Sequence, residues 1–222
     1  ELDGRNGSNK LFAFFREFLD AQGLVAKEGS IIDASFVEAP KQRNTREQNK
    51  QIKEGERPDG FEKGSPKGAQ KDCDARWTKK NNETHFGYKN HAKVDAKSKL
   101  IDSYATTPAS VHDSQVFEEL LDEKDKAILS DSAYKSQVNE EVLLKRNLED
   151  FTMLKANRNS PLSADDKIYN KKVSSIRVRV EHVFGRMKYM AADMFRRIGL
   201  QRASQHNALC NLTYNMDRYA FL

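Results

Sequence analysis

The chain has 222 residues, with 38 Lys or Arg against 33 Asp or Glu and a net charge of +5. That length fits one domain with an appendage. The basic excess favours a polyanionic partner, but so many acids argue against a simple basic coat for nucleic acid. Two cysteines, Cys73 and Cys210, lie far apart, which argues against a disulfide scaffold or a zinc site and for a reducing compartment. No apolar run approaches the roughly 20 residues of a membrane span and the start lacks a signal-peptide shape, so a soluble, intracellular protein is expected.

The chain opens on Glu1 and runs into "LFAFFREFLDAQGLV", a helical pattern ending near Gly23. Residues 1–28 read as the end of an N-terminal helical segment of a longer protein. In "IIDASFVEA", Ile32, Ala34 and Phe36 alternate with Ile31, Asp33 and Ser35, the period of a strand. Asp is depleted in strands, so Asp33 needs a reason to be there. From Pro40 to Asn82 there are 12 Lys or Arg against 7 Asp or Glu and almost no large apolar residues. Residues 40–83 therefore read as a flexible basic insertion with little structure of its own, either inert or in contact with a nucleic-acid backbone. Two β-rich runs, 85–94 and 100–107, flank "DAKSK" as a hairpin whose turn Asp95 and Asp102 border. "HDSQVFEELLD" reads as a short helix capped by Asp113 or Ser114. "KAILSD" reads as a buried strand ending in Asp131, followed by a helix over 138–146 and a last strand, "DFTMLK".

Ser163 with Asp166 three residues on is an acidic capping-box signal for a long helix. At about 100° per residue, Val173, Ile176, Val180, Val183, Phe184 and Met187 share one arc as its buried face. Arg177, Glu181 and Lys188 line up at the edge of that arc. Arg before Glu is the less favourable order for a surface i,i+4 pair. The closing "ASQHNALCNLTYNM" reads as a packing helix through Ala203, Leu209, Cys210, Thr213 and Met216. Strands and helices in this order predict an α/β fold, a mixed sheet flanked by helices. No glycine-rich phosphate loop follows a strand, which weighs against a nucleotide-binding enzyme.

Asp33 and Asp131 lie in or at the ends of strands that can be neighbours, and a long helix crossing the sheet can bring Glu181 alongside. Three convergent carboxylates repel unless cations sit between them, and Mg²⁺ or Mn²⁺ suits oxygen ligands. Two such ions roughly 3.5–4 Å apart can activate a nucleophile on one side of a phosphate and steady the leaving oxygen on the other. Arg177 and Lys188 would approach the phosphate or orient the carboxylate.

These residues carry a resemblance. Arg177, Glu181 and Lys188 match the arginine, glutamate and lysine of a helix motif of bacterial insertion-sequence transposases of the DDE type, in the broad group of insertion sequences four and five. The tyrosine of that motif is replaced here by Ser174. "DSAY", Asp131 to Tyr134, resembles the segment around the family's second Asp, and "IIDAS" places the first at Asp33. "HFGYKNHAKVD", "TTPASVHDS" and "FRRIGLQRASQHNALCNLTYN" are also similar to family segments. The resemblance implies a ribonuclease-H-like catalytic domain over 29–222 and metal-dependent DNA strand cleavage at transposon ends, followed by strand transfer. Asp33, Asp131 and Glu181 would ligate two Mg²⁺ or Mn²⁺ ions. It also implies double-stranded DNA as partner, a dimer on DNA, and a cytoplasmic, nucleoid-associated location in a bacterium. Two alternatives stay open: a DNA-binding remnant of a transposase, and a metal-dependent nuclease of the same fold.

Around the site, Asp113 reads as a helix cap in competition with a metal role. His85, His91, His112, His182 and His206 lack zinc-like spacing. Trp77 either stacks on a base, with Lys79 and Lys80 on the backbone, or anchors the returning insertion. Tyr134 either packs beneath the site or bonds a phosphate.

Overall fold

The structure is a computed structural model and describes residues 7–80, 82–156 and 161–222. Strand β1 (Ser30–Glu38) is the alternating run expected from "IIDASFVEA", and it lies at the middle of a mixed sheet. Strand β3 (Glu83–Asp95) pairs with it antiparallel along its whole length, Ser30 opposite Asp95 and Glu38 opposite Gly87. The other edge of β3 is shared end to end by β2 (Arg76–Lys80) and β4 (Ile101–Pro108), both antiparallel to it. On the far side of β1, β5 (Ala127–Ser130) and β6 (Glu149–Thr152) continue the sheet in parallel. Gly87 sits where three strands meet: its φ is 146° and an added Cβ would lie 2.3 Å from the Val37 carbonyl oxygen, so only glycine fits.

Alternation along β1 sends neighbouring side chains to opposite layers. Ile31 faces helix α5 (Ala164–Tyr189) and packs with Val94, Leu129, Val173, Val180, Val183 and Met187. Ile32 faces the other way, against α3 (Phe117–Leu120) and α4 (Gln137–Lys145), with Phe117, Leu120, Ile128, Tyr134 and Leu143. Each such side chain contributes roughly 1.5–3 kcal/mol by leaving water. Helix α6 (Leu200–Tyr219) covers β3 and β4 beside α5, and α1 (Gly7–Ala21) packs on α6. The result is the mixed sheet between helices that the sequence predicts. Antiparallel strands lie on one side of β1 and parallel ones on the other, the ribonuclease-H-like arrangement.

Four local expectations are corrected. Residues 40–83 are not an unstructured loop: they contain α2 (Arg46–Lys53), with a Thr45–Gln48 capping box, and β2. Buried polar anchors stand in for the missing apolar core. Asp72 accepts from the Tyr88 hydroxyl at 2.8 Å and from the Ala75 and Asp74 N–H groups, while Asp74 accepts from the Leu200 N–H and so caps α6. Ile176 is 38% exposed rather than part of the buried face of α5. On α6 the buried positions are Ala203, Asn207, Ala208, Asn211, Tyr214 and Asn215, with Leu209 and Met216 exposed. Asn215 pairs with both the N–H and the carbonyl of Ile101 at 2.8 Å, completing backbone groups at the start of β4. The segment after β4 is a 3₁₀ turn (Asp113–Val116) before α3, with His112 at its cap, and the Asp113 carboxylate goes to Lys89 Nζ at 2.7 Å instead.

Candidate active site

The parallel register of β1 and β5 pairs Ile31 with Leu129 and Ile32 with Ser130. Continued by one residue, it sets Asp131 beside Asp33, and alternation puts both on the face covered by α5. β5 ends at Ser130, so Asp131 is free to turn. Its carboxylate accepts from the Ser132 N–H at 2.6 Å and starts the 3₁₀ turn Ser132–Tyr134. Asp33 accepts from the Ala34 N–H at 2.8 Å and from Arg177 Nη2 at 2.7 Å. Arg177 is delivered by α5, where the buried run of Val173, Val180 and Val183 fixes which side of the helix meets the sheet.

Burial pushes the Asp33 carboxyl above its ordinary range; Arg177 pulls it back only in part, and Asp131 pushes it further up. The guanidinium thus bonds one carboxylate, Asp33, and Asp131 lies near enough to act on that carboxylate electrostatically. That guanidinium has five N–H donors, yet among the described residues Nη1 reaches only the Met153 sulfur, at 3.5 Å, and Nε has no partner.

Arg177 is 8% exposed, and its Nη2 is bonded to the Asp33 carboxylate. Tyr134 is 1% exposed and packs against Phe117. Burial, then Asp33, raises its phenol far above the ordinary range. Glu181 does not join the pair: it is exposed, one helical turn beyond Arg177. Lys188 is exposed on the same line. Lys79 and Lys80 are exposed on β2, and Lys80 acts electrostatically on Asp33. Trp77 packs against Phe86 with ring centroids 4.9 Å apart and is 43% exposed.

Lys89, His91 and Lys93 went unrecognised as a group. They alternate along β3 on the face away from Asp33 and are all buried. Lys89 holds Asp113; His91 Nε2 meets the Thr107 hydroxyl at 2.8 Å, and burial lowers its imidazole to about 4. Their period of two in "KNHAKVD" was the available signal.

Residues 26–216 match the family described as Transposase DDE domain. The chain belongs to that family. Among curated proteins, it is 34% identical over 146 residues to "Transposase for insertion sequence element IS1106" of Neisseria meningitidis serogroup B, covering 63% of this chain and 50% of that protein. The chain thus spans about half the length of this curated relative. Among solved structures, "Crystal structure of a pre-cleavage Mos1 transpososome" aligns with 96% of this chain and 60% of that one at 11% identity and a TM-score of 0.36. Within this transposase domain, Asp33 and Asp131 offer hard oxygen donors and carry one more negative charge than Arg177 neutralises, a donor set that fits a divalent cation. Among the described residues no three His, Cys, Asp or Glu side chains stand together as metal ligands.

Proposed function

We propose that this chain is the catalytic part of an insertion-sequence transposase of the four/five group, cleaving DNA strands at transposon ends and joining the freed 3′-hydroxyl to target DNA. The observation that carries this reading is the β1–β5 register, which, continued by one residue, brings Asp131 beside Asp33, the carboxylate that Arg177 bonds. Asp33 and Asp131 would hold the divalent ion, Mg²⁺ or Mn²⁺, with Glu181 as the third ligand once it is drawn in. A bound pair of such ions supplies Lewis acidity on both sides of the scissile phosphate. Asp33 and Asp131 fix where that charge lies, and their burial strengthens every electrostatic contact made there. Lys188, Lys79, Lys80 and Trp77 are exposed and would position double-stranded DNA, with ends paired by a dimer.

The test is nicking of supercoiled plasmid in Mn²⁺. Asp131→Asn should abolish nicking while leaving DNA affinity nearly unchanged; equal nicking by both proteins removes Asp131 from the site. Replacing Lys79 and Lys80 together by Gln should shrink the slope of log affinity against log salt by up to about two. An unchanged slope would take β2 off the DNA path. A protein that binds DNA but never nicks it would instead favour a binding remnant.

A further inference from the structure

Arg177 sits where a cation is wanted, yet it is poorly held there. Its one strong acceptor is Asp33 Oδ2 at 2.7 Å; the Met153 sulfur is a weak partner, and Nε has none among the described residues. Lys93, a buried cation on β3, is by contrast fixed between two carboxylates at 2.7 and 2.8 Å. Four residues after Arg177 on the same helix, Glu181 faces solvent. The crevice therefore carries a guanidinium near Asp33 and leaves its third carboxylate outside.

We propose that Arg177 is a stand-in cation: it neutralises Asp33 while the site is empty, competes with divalent metal for that carboxylate, and is drawn off when a DNA phosphate offers a better acceptor. This rests on the reading of Asp33 and Asp131 as metal ligands and adds an order of events to it. A phosphate presents a planar guanidinium with two acceptors in line, a better match than the single oxygen it holds now. Arg177 is thus a positioning residue acting through Asp33. Because one guanidinium links the two events, DNA binding and metal loading must promote each other equally. Before DNA arrives, the bound arginine lowers apparent metal affinity by the fraction of molecules in which it is engaged. Stray metal is thereby kept from a nuclease site that holds no substrate.

The experiment is a Mn²⁺ titration followed by electron paramagnetic resonance of the free ion, without DNA, on wild type, Arg177→Lys, Arg177→Gln and Asp131→Asn. Arg177→Gln should bind Mn²⁺ at least ten-fold more tightly than wild type, Arg177→Lys should lie between them, and Asp131→Asn should lose the site. Equal or weaker binding by Arg177→Gln, with wild type still binding, overturns the stand-in role and leaves the metal site standing. No binding by any of the proteins overturns both. Should Arg177→Gln not fold, wild type decides through the ¹⁵N resonances of its guanidinium groups during a Mg²⁺ titration, with Arg177 assigned from Arg177→Lys. Release of that signal at the binding midpoint is expected. An unmoved signal at saturation overturns the proposal.

Discussion

Two buried ionic clusters lie one residue apart on this sheet, and they are built to opposite ends. Ile32 of β1 pairs with Lys93, while Asp33 pairs with Ala92, so the two clusters occupy opposite faces. Around Lys93, three cations meet three carboxylates. Lys93 contacts Asp102 and Asp125, Arg16 contacts Asp102 at 2.8 Å and Asp122 at 3.3 Å, and Lys27 contacts Asp122 at 3.3 Å. Burial would raise the Asp102 carboxyl, but Lys93 and Arg16 outweigh it and hold it below its ordinary range. Around Asp33, burial wins and the carboxyl is raised. A cluster that closes its own charge balance ties α1 and the hairpin to the core. One that stays a cation short has room for a cationic ligand, which supports the proposed role of Asp33 and Asp131.

Removing one cation from the balanced cluster should have the largest effect. Lys93→Met leaves Asp102 and Asp125 buried beside one another, and a loss of about 3–5 kcal/mol is expected in urea unfolding. Asp33→Asn, a change at a partly buried position in the other cluster, should shift stability by less than about 1 kcal/mol or raise it, because the fold already disfavours the ionised form there. A Lys93→Met loss as small as that of Asp33→Asn would mean that water already reaches the balanced cluster, and the contrast would collapse.

The pH dependence should separate the clusters with opposite signs. Asp102 has a lowered folded value, so its contribution is present above the unfolded carboxylate pKa and is lost as pH falls through the folded one. Asp33 has a raised folded value. Between the unfolded and folded values the folded chain binds more protons, so stability falls as pH rises through that window. Subtracting the melting-temperature profile of Asp33→Asn from that of wild type should leave a curve that declines with pH. A rising difference curve would mean that Arg177 overcomes burial at Asp33.

Much of this was legible in the sequence because it is local. The strand period around Asp33, the Ser163–Asp166 box that opens α5, and the hairpin all depend on neighbours in the chain, and each appears within a few residues of its expected bounds. What was missed depends on partners far away in sequence. Low apolar content made residues 40–83 look unstructured, because nothing local reveals that Asp72 binds Tyr88 and that Asp74 caps α6. The packing face of α6 was expected through Leu209 and Met216, yet Asn207, Asn211 and Asn215 carry it, bonding Thr106, Asn90 and Ile101 across the helix–sheet boundary. At the site, the motif spacing identified Arg177 and Glu181 as a line on α5. It could not say which of the two meets Asp33, since one turn of helix separates them and sheet packing chooses.

The smallest effect separates two tyrosines that propensity treats alike. Tyr88 donates its hydroxyl to Asp72 at 2.8 Å, so Tyr88→Phe removes a bond to a charged group and should cost about 1.5–3 kcal/mol. Tyr134 is as deeply buried, but its hydroxyl makes no hydrogen bond to protein. Tyr134→Phe removes an unpaired polar atom and should leave stability within about 0.5 kcal/mol or improve it. A loss above about 1 kcal/mol in urea unfolding would place a bridging water on that hydroxyl, tying it to the carboxylates of Asp33, Asp113 or Asp131, which act on it electrostatically. Stability kept or gained together with weaker Mn²⁺ binding would show the other arrangement: a hydroxyl held unpaired beneath the carboxylate pair, against the interest of the fold, for the state in which the site is filled.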